Sequence, residues 1–277
     1  MLADHETRIQ RRPIPPAAAL SPFDDGDDAT FRRLSDRLVH TIARRVPFRT
    51  AAIKLDRPIV SFSFDDFPAS AHETGARILQ DHDAQGTFYA ASGLIGQKRA
   101  LWTIAGADAI RDLHDHGHEI GLHTHSHRPS FLMGRRQFGA DLAANRAALR
   151  RILPDLAHET FAYPFGLSTL SQKRTLGRLA RASRSVQRGL NVGKLDLDFI
   201  RAYELTDRGL SLDELTQLLD DAAARNGWLV FLTHDIADRP TRFGASPALL
   251  TAALLGAARR GMDVLSIRDA LTRIGVS

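Results

Sequence analysis

Ile59-Val60-Ser61-Phe62-Ser63-Phe64-Asp65-Asp66 is an apolar, β-rich run that stops on two adjacent carboxylates. Its length and its aromatic and β-branched content predict a buried strand. Neighbouring strand residues point to opposite faces, so the two aspartates diverge where the strand ends. Further along, His123-Thr124-His125-Ser126-His127 offers two imidazoles four positions apart, a spacing that points both rings the same way on a helical turn or tight loop. One carboxylate and two imidazoles can bind a divalent ion and leave a coordination position for water. The second carboxylate is then free to act as a base. Each half also has a plainer reading. Asp favours turns that end strands, and His114, His116, His118, His123, His125 and His127 make up half of the chain's 12 histidines, so coincidental spacing is easy. His114, His116 and His118 flank a helix stop at Gly117 and are expected in solvent, and His125 is expected to point away from His123 and His127.

Working outward, strand-like runs stand at Ile59–Phe64, Thr87–Ala91, Glu119–His123, Thr160–Tyr163, Ser185–Gln187, Trp228–Thr233 and Met262–Ser266. Helical segments lie between most of them. The best marked begins with the capping box Ser211-Leu212-Asp213-Glu214 and stops at Asn226-Gly227. Another begins at Ser246-Pro247 and stops at Gly261. Strands alternating with helices predict an α/β fold with a parallel sheet. A distorted (β/α) barrel of seven to eight parallel strands is the first expectation, and an open doubly wound sheet the second. The aspartate pair, the histidines, Phe165 and His234 all fall at or just beyond the C-terminal ends of these runs, where a barrel builds its active site.

Two further segments belong to that set. In Phe161-Ala162-Tyr163-Pro164-Phe165-Gly166, Pro and Gly end a strand and leave backbone N–H groups that can face an oxyanion. In Phe231-Leu232-Thr233-His234 a strand delivers a histidine, whose ordinary pKa range suits a general acid. Alone, the first reads as an ordinary strand-ending turn, and the second equally as a structural histidine.

The 277 residues are enough for one large domain, and no Cys is present, so metal ligands must be nitrogen and oxygen. Lys and Arg number 37 against 32 acidic residues, a mild positive excess with no nucleic-acid motif beside it. No apolar run approaches the ~18 residues of a membrane span. The first residues mix charges and prolines without an apolar h-region, which predicts a cytoplasmic protein. Residues 1–28 read as a proline- and aspartate-rich arm. Phe31, Leu34, Leu38, Ile42 and Val46 recur at helical spacing among arginines. That is either a basic amphipathic helix for a membrane surface or, preferably, a helix closing one end of the main domain. The expected division is 1–50 for the arm and helix and 51–277 for the barrel.

Taken together, these four segments, in this order, resemble the polysaccharide deacetylase family (carbohydrate esterase family 4, the NodB homology domain) over roughly residues 57–270. The resemblance implies a distorted (β/α) barrel and a divalent metal, most often zinc, with Co2+, Ni2+ or Mn2+ as alternatives. It assigns the base to Asp65, metal ligation to Asp66, His123 and His127, an oxyanion donor to the Phe165 amide, a wall of the acetyl pocket to Leu232 and the general acid to His234. Tyr163 is grouped with the oxyanion and substrate residues. The implied reaction is metal-assisted removal of an acetyl group, preferably N-acetyl, from an acetylated sugar, oligosaccharide or glycoconjugate. Hydrolysis of a small cyclic amide, and metal-bearing sugar binding without turnover, are the competing readings. Three departures stand out. The Arg expected in the third motif is Ala162, for which Arg188 is the candidate substitute. The Gly usual after the aspartate pair is Phe67. The paired aspartates and tryptophan of the fourth motif have their nearest counterpart in Asp196-Leu197-Asp198-Phe199.

Overall fold

The computed structural model describes residues 34–157 and 160–276. The arm at residues 1–28, with its acidic cluster, lies outside the described residues. The core is a parallel sheet whose strands are β2 (Ile59–Asp65), β3 (Thr87–Ala90), β4 (Glu119–Leu122), β5 (Thr160–Ala162), β6 (Ala182–Arg184), β8 (Tyr203–Glu204) and β9 (Trp228–Thr233). They lie in the order β6-β5-β4-β3-β2-β9-β8, and β10 (Asp263–Val264) pairs with the start of β2. The sheet curls until its edges meet. Ile200 bridges Arg184 of β6 in parallel, and three residues further on Tyr203 and Glu204 pair with Phe231 and Leu232 of β9. The result is a distorted parallel (β/α) barrel.

Strands β2 to β6 and β9 are buried on both faces, which is why the longer ones, β2 and β9, read as continuous apolar runs. Successive residues still serve different layers. Val60, Phe62, Phe64, Leu229 and Phe231 pack outward against the helices. Ile59, Trp228, Val230 and Leu232 point into the barrel. The serines of β2 are on the inward side and are satisfied there. Trp228 Nε1 donates to Ser61 Oγ at 2.9 Å, and Ser63 Oγ donates to the Phe231 carbonyl at 2.8 Å. Large inward residues need small neighbours: a Cβ on Gly121 would stand 2.4 Å from the Tyr89 ring.

Around the sheet lie α1 (Leu34–Arg45), a π-helical turn Ala71–Ala76 running into α2 (Arg77–Gln80), α3 (Ala107–Asp115), α4 (Arg135–Ile152), α5 (Leu170–Leu176), α6 (Leu212–Ala224), α7 (Pro247–Arg259) and α8 (Ile267–Ile274). The capping box at Ser211 forms in full, and Ser246 caps α7 with Pro247 in its first turn. Helix α8 plugs the N-terminal end of the barrel. Its first amides, Ile267 N–H and Arg268 N–H, donate to Thr87 Oγ1 at 2.9 Å and Glu119 Oε2 at 2.8 Å. Helix α1 closes one side of the domain. The buried Lys173 ammonium donates to the Ala43 carbonyl at 3.0 Å, the Val46 carbonyl at 2.9 Å and Asp196 Oδ2 at 2.8 Å, capping the C-terminus of α1 with a cation.

Some expectations need correction. Ser185–Gln187 follows the strand β6 rather than forming it. The antiparallel pair β1 (Thr50–Ala52) and β7 (Lys194–Asp196) escaped the sequence patterns because both strands are three residues long. His118 is fully buried rather than solvated. Its Nδ1 accepts from Gly86 N–H at 3.0 Å, and burial lowers its pKa to about 4.

Candidate metal centre

The residues at the C-terminal ends of β2 and β4 converge. Asp66 Oδ1 lies 3.1 Å from His127 Nε2 and 3.6 Å from His123 Nε2, and one ligand atom from each of the three residues falls within 4.8 Å of the others. His123 Nδ1 is 2.9 Å from the Ala162 carbonyl. That hydrogen bond fixes the proton on Nδ1 and leaves the Nε2 lone pair facing Asp66. Burial is the main cause that lowers His123 to about 4 and His127 to about 3, so both rings are neutral near pH 7. Neutral imidazoles beside a carboxylate are the donor set a divalent cation takes. The residues therefore fit such an ion.

The backbone is bent to make this arrangement. Asp66 (φ 56°), Phe67 (φ 20°), Thr124 (φ 64°), His127 (φ 49°) and Phe165 (φ 57°) lie on the positive-φ side, and only Asp83 and Asn226 join them among the described non-glycine residues. Such conformations cost on the order of 1–3 kcal/mol each and persist where surrounding structure enforces them. Here α4 does so. Asp141 accepts from His125 N–H at 2.9 Å and from Ser126 N–H at 3.2 Å. Asn145, one turn on, accepts from His123 N–H at 3.3 Å and donates to the Ala90 carbonyl at 2.9 Å. The sequence reading missed both residues. The available signal was a buried Asp and Asn four apart on the apolar side of a helix, beside Phe138, Leu142 and Leu149. His125 turns away, with Nδ1 3.0 Å from Ser92 Oγ.

Asp65, on the inward side of β2, is ion-paired to Arg184 and lies close enough to His123 and His127 to act on both electrostatically. Burial pushes the Asp65 carboxyl up. Arg184, with His123 and His234, outweighs it and holds the group below its usual value. Arg184 stands where Arg188 was expected to act. The Arg188 guanidinium lies over the Tyr203 ring instead, 5.4 Å from its centroid. The geometry explains the exchange: Ala162 of β5 and Arg184 of β6 are parallel partners in register. A methyl side chain at 162 leaves the barrel interior open to an arginine from the next strand, which also packs over Tyr89 at 5.2 Å.

The turn after β5 carries Phe165, whose ring lies 4.9 Å from that of His127. The Gly166 and Leu167 amides are spent on the Tyr163 and Pro164 carbonyls. Tyr163 does not face the site. It is fully buried and donates its hydroxyl to the Asp198 carbonyl at 3.1 Å. Leu232 is buried at the end of β9, with His234 just beyond. His234 Nδ1 is 3.3 Å from the Phe243 carbonyl, and its ring stacks on Trp102 at 5.5 Å and lies tilted against Phe243 at 5.5 Å. The aromatic wall is thus Trp102 rather than Phe199, which packs on Tyr163 and His40. Asp198 and Asp196 are likewise structural, paired to Arg49 at 2.7 Å and Lys173 at 2.8 Å.

Residues 52–182 match the family model described as polysaccharide deacetylase. Over this stretch the chain is similar to the polysaccharide deacetylase family. The match spans β2 to β5, hence Asp65, Asp66, His123, His127 and Phe165, while Arg184 and His234 lie beyond it. Solved structures agree on the fold. The Xyl-CE4 domain of a multidomain xylanase from the hindgut metagenome of Trinervitermes trinervoides is similar with a TM-score of 0.57 at 15% identity, covering 80% of this chain and 93% of that one. A family 4 carbohydrate esterase from Streptomyces lividans in complex with acetate gives 0.53 at 16%, covering 76% and 92%. A family 4 acetyl xylan esterase from Clostridium thermocellum in complex with a cobalt ion gives 0.55 at 20%, covering 79% and 93%. No curated protein matches the chain. The polysaccharide deacetylase barrel is therefore the frame in which these side chains are set.

Proposed function

We propose that this protein is a metal-dependent carbohydrate deacetylase that hydrolyses an acetyl group, most readily an N-acetyl amide, and releases acetate. The observation that carries the reading is the convergence of Asp66, His123 and His127 with a separate carboxylate, Asp65, beside them. Residues 51–277 form the catalytic unit in this reading, and residues 1–50 an arm and helix attached to it.

Asp66, His123 and His127 hold the divalent ion, with zinc as the first candidate. When bound, the ion supplies a Lewis acid that polarises an acetyl carbonyl and lowers the pKa of water toward ~7. Asp65, kept ionised by Arg184, takes the proton from the attacking water. The Phe165 amide donates to the oxyanion as it forms, a contribution typically worth ~3 kcal/mol in the transition state. His234 delivers a proton to the departing amine. An Nδ1–H bond to the Phe243 carbonyl and the stacked Trp102 fix its ring so that Nε2 faces the substrate. Leu232 closes the space around the acetyl methyl. An amide needs this acid more than an ester does, because an unprotonated amine leaves poorly.

The test is elemental analysis of the purified protein followed by acetate release from a panel of N- and O-acetylated sugars. A bound divalent ion with acetate release supports the reading. A loaded protein that releases no acetate from any acetylated sugar contradicts it.

A further inference from the structure

The face built by α1, α5 and the start of α4 combines two features that the catalytic reading does not use. The first is a basic groove. A cavity of about 270 Å³ between α4 and α5 is lined by Arg135, Ser171, Arg174 and Arg178. It adjoins a second of about 450 Å³ to which Arg136 and Thr175 contribute. Among the described residues no carboxylate lines either one. Guanidinium groups gathered without acidic partners, beside hydroxyls, make a site for phosphate oxygens, which arginine meets with two parallel N–H bonds.

The second feature is apolar. On α1, His40 and Ala43 face the domain, whereas Val39 and Ile42 face solvent, and Val46 and Phe48 continue that exposed face beyond the helix end. Leu179, after α5, is exposed too, and each of these five is between 37% and 41% exposed. They are five of the eight large hydrophobics found exposed among the described residues. The two features are joined directly: Arg174, which lines the groove, has its guanidinium 4.8 Å from the centroid of the Phe48 ring. Arg44 and Arg45 flank the stripe on α1.

We propose that this face docks the protein on a membrane surface containing anionic lipid. The arginines of the groove take lipid phosphates, and Val39, Ile42, Val46, Phe48 and Leu179 enter the boundary between headgroups and acyl chains. The pairing of the two chemistries selects this occupant. An anionic bilayer offers phosphate and hydrocarbon side by side over a broad plane, and interfacial helices bind it with apolar side chains next to Lys and Arg. A free phosphate would use the groove and leave the stripe without a role. The proposal does not depend on the deacetylase reading, because none of these residues belongs to the metal centre.

The test is co-sedimentation of the full chain with phosphatidylcholine vesicles, with and without phosphatidylglycerol. The expected result is sedimentation with the phosphatidylglycerol vesicles alone, weakening as salt is raised. An Arg174→Gln/Arg178→Gln variant should bind about thirtyfold more weakly, from roughly fivefold per charge near an anionic surface. Ile42→Ser/Val46→Ser should also weaken binding while keeping its salt dependence. All four side chains are exposed, so unchanged circular dichroism and Tm serve as the folding control. Three results overturn the proposal: no sedimentation of the full chain, equal sedimentation with both vesicle types, or undiminished binding by the arginine variant. Arginine-dependent stabilisation by inorganic phosphate without vesicle binding also overturns it, and assigns the groove to a soluble anion.

Discussion

At the scale of single residues, the most instructive pair is Ala162 and Arg184. Position 162 alone read as a loss, an arginine missing beneath the catalytic carboxylate. The parallel register of β5 and β6 brings an arginine to the same place from the neighbouring strand. Sequence could not reveal this, because strand register across a sheet is set by tertiary pairing rather than by local pattern. The cluster of Asp66, His123 and His127, with Asp65 beside it, was legible because it follows the strong strand signals of β2 and β4. Arg184 was not, because β6 is short and carries Ala182 and Ser183 before it. Replacing Arg184 with Met should leave Asp65 as a buried, poorly compensated charge and cost about 3–5 kcal/mol of stability, seen in chemical denaturation. In the proposed mechanism Asp65 acts only when ionised, and Arg184 holds its pKa down against burial. Without Arg184 that pKa rises, so the acid limb of the kcat/KM profile should move to higher pH. Returning the arginine to the other strand, as Ala162→Arg with Arg184→Ala, should recover activity relative to Arg184→Ala alone. No recovery at all would show that the guanidinium is not interchangeable between the two strands.

At the scale of elements, α4 and the loop it holds show what hydrophobic patterning conceals. The helix is legible from its apolar stripe, yet Asp141 and Asn145 are buried on that side to bind the backbone at His123, His125 and Ser126. They keep the loop in a strained form that places His127. Asp141→Ala should weaken divalent-metal affinity by roughly 10–100-fold, as loss of a group supporting a metal ligand typically does, with kcat at saturating metal largely kept. An unchanged affinity, measured by competition with a chelator, would assign Asp141 to folding alone. His118 illustrates the converse error. Beside Gly117 it reads as a solvated helix end, but the chain turns back and buries it against Phe88. Its pKa is lowered to about 4 in the folded state, against about 6.5 in an unfolded chain. The unfolded state therefore binds more protons between these values. The contribution is complete above pH 6.5 and is lost as pH falls toward 4, on the order of 3 kcal/mol if burial is maintained on protonation. His118→Gln should flatten that part of the stability-against-pH curve, and an unchanged slope would mean that another group carries it.

At the scale of the whole molecule, the alternation of strands and helices was enough to foresee a parallel barrel, because seven runs of the right length lay between capped helices. The closure was not foreseeable: residues 200–204 have no strand pattern, yet they bridge β6 and β9 and join the sheet's edges. Closure draws together the C-terminal ends of strands far apart in sequence, so that His234, just after β9, lies within electrostatic reach of Asp65 from β2 and of His127 beyond β4. The centre should also couple to stability. Removing a bound ion with a chelator should lower Tm, and restoring it should reverse the change, because the three ligands come from two separate loops. A Tm indifferent to metal would argue against a resident ion. The claim on which the account turns is the division of labour between the adjacent aspartates, Asp66 for the ion and Asp65 for the proton. Acetate release by Asp65→Asn protein with its divalent ion bound, beside the wild type, tests it most directly. The account predicts an ion held as tightly as in the wild type and kcat lower by about 10²–10⁴-fold; an ion-loaded Asp65→Asn enzyme with wild-type turnover would contradict it.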